Sequence, residues 1–333
     1  MATNLSSIQK KFTLFLVIVT FISFMYISFT VAKDSSSFLK EKNVEYFNKL
    51  YKKEQLTRVD EYYTGGCNSY YQWDFDLNNI PKWQLLEHGL WLGKFPGVTR
   101  AGEVFEVVML KINPQYYDFS LHMASQTGRS FSLQEWSNKY DLSAVINASM
   151  YLPDGVTSTG YLRNHEHINN AHVGKRLGAF FVASPYNSTL PNADLLDRTS
   201  DNWEILLPQY KIVVQNYRVI SANRQCLWST KKAIHSIAAV ARDGKGYLFF
   251  IHTRYPISDA DFGNLLLSLP IDIRIVMYVE GGSQAGLLIN TPNFKQLWMG
   301  KHPVNILSIN NTSVPIPNVI GIKKRKSPIP SLK

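Results

Sequence analysis

The sequence predicts an α+β protein: a mixed, mostly antiparallel β-sheet core with a few packing helices, preceded by an amino-terminal signal or anchor helix. Three observations predict it. β-branched and aromatic runs of strand length outnumber the helical patterns, the two do not alternate regularly, and a long apolar run stands apart near the start. With 333 residues, 45% hydrophobic and 18% charged, the chain has ample material for a large core.

The apolar run covers residues 12–32, carries no charge and follows Lys10 and Lys11. It reads as a signal peptide or signal anchor occupying residues 1–33. A bilayer needs about 20 apolar residues, so its length favours an uncleaved anchor, while Thr30-Val31-Ala32 resembles a small-residue cleavage site. In both cases the two lysines stay cytoplasmic and the rest is exported, as a membrane-anchored or periplasmic/extracellular protein. Residues 34–101 follow as a stalk and aromatic-rich region. Val44, Phe47, Leu50 and Tyr51 fall near helical spacing, Gly65-Gly66 interrupts them, and Tyr70, Tyr71, Trp73, Trp83 and Trp91 come next. Aromatic residues in so apolar a region serve as core more often than as sugar platforms.

The main domain is expected over residues 102–322. Residues 103–112 form an apolar, β-branched run, Asn113-Pro114 turns the chain, and residues 117–123 alternate as the partner strand. Ser132 lies three residues before Glu135, the spacing of a capping box, and opens a helix reaching Tyr140. Strands are expected at 144–148, 211–219, 236–241 and 247–253, with Arg242-Asp243-Gly244-Lys245 as a hairpin turn. Ser258 with Asp261 caps a helix carrying Phe262, Leu265, Leu266, Leu267 and Leu269, and a buried strand over 273–279 ends at Glu280. Residues 323–333 form a basic tail.

The formal net charge is +10, but its distribution argues against a nucleic-acid groove. Residues 1–58 hold nine Lys/Arg against four Asp/Glu, and the tail holds five bases and no acid, leaving 21 of each in between. A neutral globular part gives no electrostatic footprint for nucleic acid, whereas basic flanks suit an anionic membrane or envelope polymer. The two cysteines, Cys67 and Cys226, can form one bridge in an oxidising compartment or remain two thiols. No CxxC spacing, P-loop, GxGxxG or GxSxG occurs, so structural zinc, nucleotide binding and serine-hydrolase chemistry lack support.

Three stretches carry candidate chemistry. Glu280-Gly281-Gly282-Ser283-Gln284 sets a carboxylate at a strand end before two glycines, whose missing Cβ atoms allow close approach and whose amides can face an anion. By itself the triplet is as consistent with a tight turn. Asn147 ends a strand ahead of the Asp154-Gly155 turn, Ser158 and Gly160; its amide can meet a sugar hydroxyl or cap the turn. His252-Thr253-Arg254 ends another strand, with Arg254 offering a planar fork for phosphate and His252 on the same face. His165-Glu166-His167 with His172 lacks the HExxH spacing and reads as a polar loop, so no metal and no cofactor is expected.

In this order, these stretches resemble the phosphodiester glycosidase family, found in many bacterial envelope proteins, over residues 103–322. The resemblance rests on Ile146-Asn147, on Gly160 after Asp154-Gly155, on Gln215 to Arg218 and on His252-Thr253-Arg254. It continues through the acidic double-glycine turn and the closing Pro315-Ile316-Pro317-Asn318-Val319-Ile320-Gly321. Where the family often carries Asp before three glycines, Glu280 precedes two, and Ala148-Ser149 stand where Gly-Gly often follows the Asn. The resemblance implies hydrolysis of a sugar 1-phosphodiester in an exported glycan or glycoconjugate. Glu280, Arg254 and His252 would be catalytic, with Asn147, Ser158, Gly160, Gly281, Gly282, Ser283 and Gln284 binding substrate. The alternative is a non-catalytic envelope protein that binds or assembles a phosphate-containing polysaccharide.

Overall fold

A computed structural model of the protein describes residues 70–229, 234–301 and 314–327. The expected signal or anchor segment, the stalk up to residue 69 and Cys67 lie outside the described residues. Strands run in chain order as β1 (Tyr71–Trp73), β2 (Gln84–Glu87), β3 (Leu90–Thr99), β4 (Val104–Ile112), β5 (Tyr117–Met123) and β6 (Ala144–Asn147). Next come β7 (Leu162–Asn164), β8 (His167–Asn170), β9 (Ala179–Pro185), β10 (Ala193–Asp197), β11 (Tyr210–Asn216) and β12 (Arg218–Ile220). The last are β13 (His235–Asp243), β14 (Leu248–Ile257), β15 (Ile273–Gly281), β16 (Gly286–Thr291), β17 (Phe294–Met299) and β18 (Asn318–Lys324). Among the described residues, two helices exceed a single turn or so, α1 (Leu133–Tyr140) and α2 (Asp259–Ser268).

The strands build three antiparallel sheets. The first has the order β1-β3-β4-β14-β13-β15-β12 with β2 on β3, the second β10-β9-β11-β7-β8, and the third β17-β16-β6-β18-β5. All three turn one face to a common core containing Leu110, Phe119, Ile146, Phe181, Val214, Phe250, Met277 and Leu287. Opposite faces are covered separately. Val107, Met109, Phe249 and Ile251 meet Phe262 and Leu266 of α2, while Val145, Leu288 and Val319 meet Leu133 and Trp136 of α1. Strands largely apolar on both faces explain why residues 104–112 and 273–279 read as predominantly apolar runs without strict alternation. Burial of a side chain such as Phe250 contributes about 1.5–3 kcal/mol.

Local signals in the sequence appear as expected at several places. Ser132 accepts from the Glu135 amide at 3.2 Å while its own N–H donates to Glu135 Oε2 at 2.8 Å, the reciprocal capping box. Ser258 caps α2 by accepting from Asp261 N at 3.1 Å. β13 and β14 pair as a hairpin across residues 243–247. One expected pairing is corrected: β4 and β5 are not partners. β4 lies between β3 and β14, whereas β5 pairs with β18 in the third sheet. The Asn113-Pro114 turn carries the chain from one sheet to another, so both strands share the core face to face and alternation alone could not separate the two cases.

Residues 70–99, expected ahead of the main domain, supply β1, β2 and β3 of the first sheet, and β3 pairs with β4 from Leu90↔Ile112 to Val98↔Val104. Several of their aromatic rings cover the core: half-buried Trp73, Phe75 and Trp83 pack around buried Phe95, and Trp73 Nε1 donates to Ser268 Oγ of α2 at 2.9 Å. At the other end, Lys323 and Lys324 finish β18 and pair with Asp141 at 2.8 Å and Glu87 at 3.3 Å. Among the described residues, no helix is long and apolar enough to cross a membrane.

Candidate active site

Wherever the chain leaves one sheet for another, ladder bonding stops and the freed backbone groups need other partners. Three crossings converge here: residues 148–161 from the third sheet to the second, Tyr217 from the second to the first, and residues 282–285 from the first to the third. Buried polar side chains supply the missing partners. Gln215 accepts from Tyr161 N at 3.3 Å and Gly174 N at 2.8 Å, and donates to the carbonyls of Gly174 and Leu177 at 2.9 and 2.8 Å. Tyr278 N donates to Tyr217 O at 2.9 Å, tying the second crossing to β15.

The third crossing is the Glu280 turn, and two wholly buried side chains hold it from different sheets. Asn147, at the end of β6, donates to Gln284 O at 3.0 Å and accepts from Gly286 N at 2.7 Å. His252, on β14, donates through Nε2 to Ala285 O at 3.2 Å. That carbonyl also receives Gly300 N at 2.7 Å. The two successive peptide groups Gln284–Ala285 and Ala285–Gly286 are thereby fixed. Tyr151 adds a hydrogen bond from its hydroxyl to Gln284 Oε1. Asn147 and His252 thus face the turn, not an open cavity. Burial holds the His252 imidazole down at about pKa 4, so it is neutral at ordinary pH.

Glu280 is the acid of this turn. His252, Ala238 and Glu280 occupy one row across β14, β13 and β15, with backbones about 10 Å apart at the ends, two strand spacings. A register shift between Ala238 and Ala239 skips Val279, a bulge at the strand end that re-aims the following side chain. Glu280 is 9% exposed, and burial raises the pKa of its carboxyl to about 7 against the opposing Gly281 hydrogen bond and the His235 charge. A carboxyl poised there can hold or release a proton near neutrality.

The glycines differ in purpose. Gly281 has no room for a Cβ, which would stand 1.9 Å from the Tyr278 hydroxyl and 2.7 Å from His235 Cδ2. Its N–H is already spent on Glu280 Oε1 at 2.9 Å, so this amide is not open to a phosphate. Gly282 turns the chain with φ 68°, and nothing crowds its Cβ position. Ser283 and Gln284 complete the single 3-10 turn Gly282–Gln284.

Arg254 lies two residues beyond His252, half-buried, and donates to Met299 O at 3.1 Å. Ser158 is buried, its Oγ accepting from Gly160 N at 3.3 Å and its N–H donating to Asn169 Oδ1 at 2.7 Å. Gly160 permits close packing, since a Cβ would stand 2.5 Å from Leu177 Cδ1 and 2.6 Å from the Gln215 carbonyl. These two residues build the floor of the 148–161 crossing. Of the histidine cluster, His165 sits in a left-handed turn and His167 Nε2 lies 2.9 Å from Ser125 Oγ. Among the described residues, no three His, Cys, Asp or Glu group to hold a metal ion.

Four residues at the site had no role assigned from sequence. Tyr151 and Tyr278 lie inside the stretches singled out, yet nothing local marks their hydroxyls. His235 and Asp259 are brought together by strand register, and no spacing signal could have found them.

The chain belongs to the phosphodiester glycosidase family, whose sequence profile matches residues 140–323, more than half of its length. Among solved structures, the fold is similar to the catalytic domain of zebrafish N-acetylglucosamine-1-phosphodiester alpha-N-acetylglucosaminidase, auto-inhibited by its pro-peptide. That likeness has a TM-score of 0.54 at 10% identity and covers 77% of this chain and 89% of that one. A hypothetical protein from Synechocystis is similar with a TM-score of 0.51 at 12% identity, covering 74% of this chain and 64% of that one. The chain thus spans just under two thirds of the Synechocystis protein. At these identities the likeness establishes the fold alone. No curated protein sequence matches the chain.

Proposed function

We propose that this protein hydrolyses a sugar 1-phosphodiester, adding water at C1 and breaking the C1–O bond to release free sugar and a phosphomonoester. The observation that carries the reading is Glu280: a buried carboxyl with its pKa raised to about 7, on a turn clamped from two sheets, in a chain of this family. Phosphate is a good leaving group, so the chemistry needs a well-placed carboxylate and positive charge more than a strong general acid. Glu280 either attacks C1 or takes the proton from the attacking water. Arg254 holds the phosphate with its planar guanidinium. Asn147 and His252 act through the turn by fixing its peptide groups, and Gln284, oriented by Tyr151, faces the sugar with Ser283 and Gly282. The substrate is an exported glycan or glycoconjugate, reached by a chain held at the membrane through its amino-terminal segment.

The test is incubation of the full-length chain with a panel of sugar 1-phosphodiesters, detecting free reducing sugar. Release by the native chain, lost in Glu280→Gln, supports the reading. A Glu280→Gln protein with near-native turnover sinks the role of Glu280. Saturable binding without released sugar from any member supports the alternative, a non-catalytic protein that binds a phosphate-containing polysaccharide.

A further inference from the structure

Ser236 has no part in the chemistry just described, yet it is wholly buried beside the site. It stands two residues from Ala238 on β13, on the strand face that carries Ala238 between His252 and Glu280. Its hydroxyl is donor and acceptor at once: Oγ donates to the Arg254 carbonyl at 2.6 Å and accepts the Lys301 N–H at 2.8 Å. Two residues before Lys301, the Met299 carbonyl accepts from the Arg254 guanidinium at 3.1 Å. One short strap, residues 299–301, therefore holds Arg254 twice, through Ser236 at its backbone and directly at Nη1. The strap is fixed to the Glu280 turn as well. Gly300 N donates to Ala285 O at 2.7 Å, and a Cβ on Gly300 would stand 1.8 Å from the Gly282 carbonyl and 2.9 Å from Ser236 Cβ. Lacking that Cβ, Gly300 lets the strap lie against both the turn and β13.

From this closed circuit of hydrogen bonds we propose that Ser236 is a positioning residue of the site, locking the strap to β14 so that the Arg254 guanidinium meets the substrate phosphate in one orientation. The proposal deepens the reading given above and rests on it, through the phosphate-holding role of Arg254. Met299 ends β17, an edge strand of the third sheet, whereas Arg254 lies on β14 of the first, so no ladder joins the two. The Ser236 hydroxyl makes that connection instead. Arginine has a long side chain with many rotamers, and a ligand that must order it binds more weakly than one that finds it ordered. Removing the hydroxyl takes one partner from the Arg254 carbonyl and one from the Lys301 N–H, and it loosens the strap on one side of Gly300. Because Gly300 also touches the turn, the same strap sets the spacing between the Arg254 fork and Glu280.

The experiment reads Arg254 and its anion directly, and turnover is not needed. Inorganic phosphate is titrated into the full-length native and Ser236→Ala chains, and nitrogen-15 relaxation follows the arginine side chains, with Arg254→Gln identifying the Arg254 Nε resonance. Ser236→Ala is expected to bind phosphate about tenfold more weakly. Its Arg254 Nε–H is expected to gain fast motion while the other arginines keep theirs. A hydroxyl that served stability alone would lower the urea midpoint without setting this one side chain in motion. Native phosphate affinity or an unaltered Arg254 resonance in a Ser236→Ala chain with native circular dichroism overturns the proposal, as does a native chain that binds no phosphate. Gly300→Ala pushes the strap off the turn, is expected to loosen Arg254 in the same way, and decides if the Ser236→Ala chain does not fold. Weakened phosphate binding with a mobile Arg254, in a protein that releases no sugar, refutes the glycosidase reading and leaves this one standing. Sugar release with Arg254 indifferent to Ser236→Ala does the reverse.

Discussion

Replacing Glu280 with glutamine is expected to stabilise the protein in mild alkali while removing its activity. The carboxyl is buried and its folded pKa is raised from 4.5 to about 7. Below pH 4.5 it is protonated in both folded and unfolded chains and contributes nothing. Between pH 4.5 and 7 the unfolded chain ionises first, so folding loses stability as pH rises, and the loss levels off above pH 7. At 1.36 kcal/mol per pH unit, that interval amounts to roughly 3 kcal/mol. Glutamine keeps an oxygen to accept the Gly281 N–H and carries no charge to desolvate. Urea unfolding of both proteins at pH 4.5, 6 and 8, followed by tryptophan fluorescence, gives the difference directly. Other titrating groups, His252 included, are common to both proteins and cancel. A difference that stays flat from pH 4.5 to 8 refutes the reasoning, because Glu280 would then be ionised at no cost.

Four further predictions follow from the clamp and the packing. Asn147→Ala removes both bonds to the turn and leaves a buried carbonyl and amide without partners, costing about 2–4 kcal/mol in urea unfolding and lowering sugar release. His252→Gln keeps a donor for Ala285 and removes a buried imidazole whose pKa falls from 6.5 to about 4. Because a lowered histidine pKa means stability is lost as pH falls from 6.5 towards 4, the variant should lose roughly 3 kcal/mol less than the native chain over that span. Gly281→Ala drives a Cβ into the Tyr278 hydroxyl and His235, so kcat/KM should fall about tenfold or more, and adding Tyr278→Phe should recover part of it. Gly160→Ala meets the rigid Gln215 carbonyl and should lower stability by about 2 kcal/mol, read as an earlier urea midpoint.

Much of this protein is legible in short stretches of chain. The alternating and β-branched runs at 117–123, 236–241 and 273–279 specify strands, because side chains in a strand must face one way or the other whatever the partner. Ser132 with Glu135 and Ser258 with Asp261 specify helix starts, because a cap is satisfied within three residues. The Glu280-Gly281-Gly282 turn stands out for the same reason: an apolar strand ends in an acid and loses its side chains. The family, too, is written in the order of such stretches.

The tertiary structure decided what these pieces do together. Asn147 lies 137 residues from the carbonyl it holds and His252 lies 33 from its own, and periodicity carries no information over such separations. β4 and β5 follow one another across a turn as a hairpin pair would, yet they belong to different sheets, because apolar faces can be buried by packing as well as by pairing. The crossing at residues 282–285 joins two sheets, and there the backbone loses its ladder and takes buried amide and imidazole partners instead. That exchange is why two residues whose sequence context suggested substrate contact hold the turn, and why Glu280 has burial enough to keep its proton near neutrality.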